Sequence, residues 1–373
     1  MRYLFLNGPV QNGPFTLEGR PGKAVGIRLA AALNTIIGSP PAPHLWNTVT
    51  LAGDLRHREG RDHRVARERF EADLIADKYP DRRLPPAGIM TDADPEVAGL
   101  ALDMIEENLR AGVLVISEET VPTCQTCGHL TGGGSHPCNS CGGTDIRDRR
   151  RLHLVAELAK DRPVLDRDDI HASHHQQPKH LRNTASNVPR RLILSRTRDH
   201  GVDLSPFGLS GLVLDPRAGI HATVITAARR LQADRAVITI TQNAASHIAA
   251  HGQHFRAHRG VKLQYALHGH LPYDQAGSLG ATYDAFRATE LMRERFETWF
   301  LPLFSLKAKG RTEPEQLPAL FKYFRRAALA LPSTPDIGTI HAVRQAVLVG
   351  NTEWITSKPR LAAVMATQHS PLG

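Results

Sequence analysis

An α/β fold with a parallel sheet, interrupted by a metal-binding insertion and closed by helices, is the architecture this sequence predicts. Three observations carry it. The chain opens with a strand, a glycine-rich loop and a helix. Strand-like and helical segments alternate again between residues 190 and 268, and all four cysteines fall between these two regions, from Cys124 to Cys141. The opening unit suits phosphate binding, because unpaired backbone N–H groups and the helix dipole converge at the N-terminus of the first helix.

The elements follow in order. RYLFL is a short apolar strand, residues 7–22 are the loop, and KAVGIRLAAALNTIIG is a helix closed by Gly38. Residues 39–43 are proline-rich and predict a loop, TVTLAG (48–53) a second buried strand, and residues 60–79 a helix with apolar positions at helical intervals. Residues 92–112 open with an Asp-Pro start and stop at Gly112, the clearest helix of the chain. A strand at 113–121 leads into the cysteines and a His-rich polar stretch reaching Pro189. RRLILS, LSGLVLD, AVITIT and VKLQYALHG then read as strands, separated by the helices ATVITAARRLQ and NAASHIAAHGQHFRAH. From Tyr283 the pattern is helical, including one long helix over YDAFRATELMRERFETWF. The expected organisation is a catalytic first half at 1–112, an insertion with its own small core at 113–189, a second half at 190–281 and a helical domain at 282–373.

With 373 residues, 41% apolar and 22% charged, the chain is too apolar for disorder, and its length favours two or three domains. No run approaches the roughly 18 apolar residues of a membrane helix, and the first residues lack a leader pattern, so the expectation is a soluble cytoplasmic protein without a membrane partner. The net charge of +9 leaves phosphate-bearing partners open. Its densest run, Arg147 to His153, reads either as a solvated face or as a nucleic-acid or nucleotide contact.

Cys124-x-x-Cys127, ten residues, then Cys138-x-x-Cys141 is the strongest chemical signal. Each pair sets two thiolates on one tight turn beside Gly128, Gly142 and Gly143, and four sulfurs close a tetrahedron around zinc. Four thiolates leave no open coordination position, so the metal would be structural.

The ordered pieces over residues 1–281 resemble the catalytic half of methionyl-tRNA synthetase, a class I aminoacyl-tRNA synthetase. The resemblance rests on the segment from Pro9 to Pro14, on residues 91–115 leading into the first CxxC, and on LILSRTRDHGV. It continues through LVLDPRAGI, ITQNAASHI and LHGHL, with Ser278-Leu279-Gly280 behind. It implies a doubly wound, Rossmann-like class I sheet with a zinc-bearing connective insertion and a C-terminal helical domain. The implied chemistry is activation of an amino acid as its adenylate by ATP, with Mg2+, followed by transfer to tRNA.

Both signature motifs of that family depart here. The HIGH-type motif corresponds to Thr16, Leu17, Glu18, Gly19 and Arg20, with no histidine; the lysine-rich KMSKS loop corresponds to residues 274–278, with no lysine. Preorganised donors aimed at developing charge are each worth on the order of 3 kcal/mol. Arg20 and Lys23 are candidate replacement cations beside Thr16, and Lys307 and Lys309 a second pair if their loop folds over the site. The nucleotide positions implied by the resemblance are Asn12, Gly13, Gly19, His268, Gly269, Ser278 and Gly280. The amino-acid positions are Gly8 and Val10 flanking Pro9, Asp54 and Asp215 as candidate ammonium partners or plain helix caps, and His247. Val213 and Ile220 stand where the family has a tryptophan and a tyrosine, so the pocket suits an amino acid other than methionine.

His247, His251, His254 and His258 would share one face of a continuous helix, a second possible metal site. The C-terminal segment is short for a tRNA-reading domain, so anticodon discrimination would be poor. Two functions follow. One is a ligase making an adenylate for a small-molecule acceptor or tRNA, with a small-molecule pathway preferred; the other is a catalytically silent paralogue acting as a binding or regulatory protein partner.

Overall fold

The computed structural model describes residues 1–9, 17, 24–52, 78–79, 84–131, 137–138, 140–158, 164–172, 188–271, 276–308, 310–330 and 336–368. Its centre is a parallel sheet. Strand β1 (Tyr3–Asn7) pairs in parallel with β10 (Arg235–Thr241), and β10 with β12 (Val261–His268), in the registers Tyr3 to Arg235 and Arg235 to Lys262. On the far side of β12 lie β11 (Ala257–His258), antiparallel, and β6 (Ile170–Ala172), parallel. A second parallel pair, β2 (His44–Trp46) and β3 (Ile89–Thr91), adjoins β1. The Asn7 side chain makes this join, donating to the Leu45 carbonyl at 2.8 Å and accepting from the Leu45 N–H at 2.9 Å. The order β3-β2-β1-β10-β12 reverses direction at β1, the topological switch point of a doubly wound sheet.

Both faces of the sheet are covered, which is why its strands read as apolar runs rather than alternations. Leu4, Leu6, Ile238, Ile240, Leu263 and Leu267 face one core; Phe5, Val237 and Ala266 face the other, at the period of two a strand imposes. The first core is filled by α2 (Pro95–Arg110), α3 (Pro216–Arg230) and α4 (Gln242–His251). The second is filled by α1 (Val25–Ile37) and the C-terminal helices, where Phe296, Phe300, Phe321 and Phe324 cluster. Those helices are tied to the sheet layer by His171 Nε2 on the Val347 carbonyl at 2.8 Å and by Arg344 Nε donating to the Ile36 carbonyl at 3.0 Å.

The helix expected at 92–112 forms with its caps: Asp94 accepts from the Glu96 N–H, Pro95 takes the first turn, and Gly112 turns the chain at φ 70°. Beyond it, β4 (Leu114–Cys124) and β5 (Ile146–Glu157) make a long antiparallel hairpin, with β7 (Arg191–Ile193) on the inner end of β5. Leu114, Leu154, Ala156 and Leu192 at that inner end join the first core.

Four expectations are corrected. Residues 48–52 are helical, not a strand, because the Asn47 carboxamide accepts from the Val49 N–H and Asp92 from the Thr48 N–H, capping a helix start; the second strand is β2, immediately before. RRLILS and LSGLVLD do not join the parallel sheet: β7 pairs antiparallel with β5, and β8 (Ser195–Arg196) antiparallel with β9 (Val213–Leu214). The helix expected over 243–258 stops at His251, where Gly252 packs directly on the His221 ring, leaving no room for a side chain. The long helix expected from Tyr283 breaks after Phe286, with Arg287 left-handed at φ 48° and Thr289 capping a new helix through the Met292 N–H. The helix expected at 60–79 lies almost wholly outside the described residues.

Candidate functional site

Open α/β sheets bind ligands beyond the carboxyl ends of their strands, at the switch point. Here that edge is formed by Gly8 after β1, Asn47 after β2, Asp92 after β3, Gln242 after β10 and His268 ending β12. Gly8 donates its N–H to the Thr239 carbonyl at 2.9 Å, and a Cβ there would stand 2.9 Å from Ile238 Cγ2. Gly26, in the first turn of α1, accepts from Thr239 Oγ1 at 2.8 Å, and its missing Cβ lets that turn approach the end of β10. Thus Gly8 and Gly26 hold the first helix against the edge by close backbone approach. His268 is buried with Nδ1 bonded to the Gly269 carbonyl at 3.0 Å, and burial pushes its pKa down to about 4.

Sequence reasoning missed Asp92. It is buried, its Oδ1 accepts from the Thr48 N–H at 2.7 Å and its Oδ2 from Asn47 Nδ2 at 3.2 Å. Burial raises its pKa, against the lowering effect of the Thr48 hydrogen bonds. The legible signal was an acid directly after the Ile-Met-Thr triplet of β3, too short a strand to stand out by periodicity.

Asp215 is the N-cap of α3 and fully buried. Its carboxylate accepts from the Arg217 N–H at 2.9 Å and pairs with Arg196 at 2.6 Å and Arg217 at 2.8 Å. Burial alone would raise its pKa; the two guanidiniums outweigh that and hold it well below the usual carboxylate range. His247 is exposed on α4, and its carbonyl accepts from His251 Nδ1 at 2.8 Å. The four histidines do not share a helix face, since His254 lies in a 3-10 turn and His258 on β11; among the described residues the only cluster fit for a metal is the cysteines.

Those four sulfurs lie within 4.8 Å of one another, with Cys124 and Cys141 at 3.6 Å and Cys127 and Cys138 at 3.7 Å. Zinc–sulfur bonds of about 2.3 Å in a tetrahedron set sulfurs about 3.8 Å apart, so the donor set fits zinc and is far from disulfide spacing. Gly128 and Gly142 take left-handed φ of 71° and 77°, and backbone N–H groups of Ser140 and Gly143 reach Cys138 and Cys141 sulfurs at 3.4 and 3.3 Å. The cluster caps the outer end of the β4–β5 hairpin.

Structural comparison supplies the context. Over 97% of this chain and 82% of the other, the fold matches Mycobacterium tuberculosis methionyl-tRNA synthetase in complex with methionyl-adenylate, at 13% identity and a TM-score of 0.52. A second structure of that enzyme bound by methionyl-adenylate matches over 98% and 84%, at 12% identity and a TM-score of 0.54. The chain has a methionyl-tRNA synthetase-like fold. No protein-family model matches the sequence, and no curated protein matches it at the sequence level.

Within this synthetase-like frame, several expected site residues fall outside the described residues: Val10, Asn12, Gly13, Thr16, Gly19, Arg20, Lys23, Asp54 and Lys309. Ser278 and Gly280, expected beside the signature loop, sit in the first turns of a helix (Ala276–Phe286). Gly269 donates to the Ser305 carbonyl, and a Cβ there would stand 2.8 Å from the Gly310 carbonyl. Lys307 does not reach over the site: its ammonium pairs with Glu353 at 2.9 Å and bonds Thr356 Oγ1 at 3.2 Å, inside the helical region. Val213 and Ile220 are buried. No helix among the described residues is long and apolar enough to cross a membrane.

Proposed function

We propose that this chain is an ATP-dependent ligase of the class I synthetase type that activates an amino acid other than methionine as its adenylate, for a small-molecule acceptor rather than for translation. One observation carries the reading: nearly the whole chain shares the fold of an enzyme seen with its aminoacyl-adenylate, and the carboxyl edge retains the close approach of α1 to the switch point. The substrate carboxylate oxygen attacks the α-phosphorus of ATP, the bond to the bridging oxygen breaks, and pyrophosphate leaves; Mg2+ on the triphosphate would neutralise part of its charge. Arg20 and Lys23 are assigned the phosphate charge that signature histidines and lysines would meet, and Thr16, Asn12, Gly13 and Gly19 the surrounding loop. Ser278 and Gly280 are assigned to the second phosphate side, and His268-Gly269 to the nucleotide at the strand end. Gly8 and Val10, in place of larger residues, together with the aliphatic Val213 and Ile220, disfavour a thioether pocket. Cys124, Cys127, Cys138 and Cys141 would hold zinc, which would brace the hairpin and, with four thiolates, have no open position for the step.

If Arg20 supplies a phosphate cation, Arg20→Ala should weaken ATP binding about 10- to 100-fold by calorimetry, the scale of one preorganised charged donor. Unchanged affinity removes the role. A second reading, a catalytically silent paralogue that binds a protein partner, is favoured by the engagement of Lys307 with Glu353, which removes one candidate replacement for the missing lysines.

A further inference from the structure

Two cavities adjoin between α1 and the start of β2, away from the carboxyl edge. The first, of about 370 Å³, is walled by Leu17, Ile27, Leu84, Pro85 and Pro86. The second, of about 450 Å³, is walled by Ser39, Pro41, Ala42 and Pro43 of the loop before β2. They share Ile27, Ala31, His44, Pro85 and Pro86, so together they form one groove along α1. Each volume lies in the range of small-molecule pockets.

The first cavity presents donors. The Tyr79 hydroxyl lies 3.0 Å from Trp46 Nε1 and 2.8 Å from His44 Nδ1. An indole can only donate, so the phenol accepts from Trp46 and gives its own proton to His44 Nδ1, the one assignment that leaves no proton of the three groups unpaired. Burial pushes the His44 pKa down to about 4, so the ring is neutral at pH 7 and carries its proton on Nε2. No described residue receives that N–H. Arg28 stands on the same wall, donating to the Leu17 carbonyl at 2.7 Å, and the buried Lys78 places its ammonium 6.0 Å from the Trp46 ring centre. No carboxylate is among the described residues that line either cavity. The second cavity differs, because its polar side chains are already engaged with backbone: Asn7 with Leu45, Asn34 with Phe5, Thr35 with Ala31 and Ser39 with Tyr3. What it offers a ligand is apolar surface.

We propose that this groove binds a small monocarboxylate with an extended apolar body, its carboxylate on His44 Nε2 and Arg28 and its body along Ile27, Ala31 and the proline-rich walls. An imidazole N–H and a guanidinium are both donors, and a carboxylate is an acceptor only, so the two sides match without an unsatisfied group. A cationic ligand meets no described counter-charge, and a polar one such as a sugar leaves the apolar second cavity unmatched. The groove lies at the amino end of β2, apart from the edge assigned to ATP and the amino acid, and it does not depend on the adenylation reading.

The test titrates octanoate, phenylbutyrate, butyrate, octanamide and octylamine into the full chain at pH 7, followed by calorimetry. Octanoate or phenylbutyrate should bind with a dissociation constant below about 1 mM. It should bind at least about 10-fold tighter than butyrate, which lacks the apolar length, and than octanamide, which lacks the charge. Ala31→Trp, at an exposed position of α1 that borders both cavities, should abolish binding while leaving the melting temperature nearly unchanged. Arg28→Gln should bring octanoate to the level of octanamide and leave octanamide itself unchanged, a split that a purely structural role for Arg28 would not produce. Octanamide or octylamine binding as tightly as octanoate, octanoate binding that survives Ala31→Trp, or no binding of either long carboxylate to folded protein overturns the proposal.

Discussion

Cys124→Ser should remove the bound metal, from about one zinc per chain to none by elemental analysis, and unfold the outer end of the β4–β5 hairpin. Structural zinc sites bind with apparent free energies on the order of 10 kcal/mol, and that binding energy is folding energy for the segment that supplies the ligands. The other anchors at the hairpin tip are few: buried Val121 and Leu130, and the Leu130 N–H on Thr197 Oγ1 at 2.6 Å. From Arg147 to Arg150 the side chains of β5 are exposed, and the tip is joined through cysteine turns rather than through an apolar core. The inner end is anchored by Leu114, Leu154 and Ala156 in the first core, so the damage should stay local. Limited proteolysis should cut the variant between residues 124 and 146 with the sheet intact. A protein that holds no zinc with all four cysteines present and reduced, yet resists cleavage there, would show that the cluster is not a metal site.

Asp215→Asn should destabilise the whole domain by about 3–5 kcal/mol, the usual cost of removing one member of a buried charge network. The carboxylate caps α3 and gathers Arg196 from β8 and Arg217 from the first turn of α3; the neutral amide leaves two guanidiniums facing each other. The pH dependence has a defined sign. Because the folded-state pKa lies below the unfolded value, the stabilisation is fully present above the unfolded carboxylate value of about 3.9 and is lost as pH falls toward the folded one. Urea midpoints of the two proteins should therefore be far apart at pH 7 and begin to converge only below about pH 4. A constant gap down to pH 3 would place the stabilisation elsewhere.

The parts of the fold that could be read from sequence are those whose local chemistry is unambiguous. Asp94-Pro95 and Gly112 bracket a helix by capping alone, β10 is a largely β-branched run buried on both faces, and the CxxC pairs fix four ligands by spacing. What escaped depended on partners distant in the chain. TVTLAG has strand composition, yet Asn47 and Asp92 cap it as a helix, and Asp92 comes 44 residues after Thr48. The periodicity of 243–258 continues past Gly252, but the chain turns there with the His221 ring where a Cβ would stand. In the candidate site, Asp215 was legible as a possible helix cap but not as an ion-paired one, because Arg196 belongs to another strand. The role of Asp92 escaped for the same reason, since its partners Asn47 and Thr48 lie far back in the chain.

The measurement that bears most directly on the central claim is amino-acid-dependent ATP–pyrophosphate exchange with the zinc-loaded protein, across the common amino acids and several nonstandard ones. The account predicts exchange above background with one amino acid that is not methionine. Exchange driven best by methionine, or none with any amino acid in folded protein that still binds ATP, would contradict it.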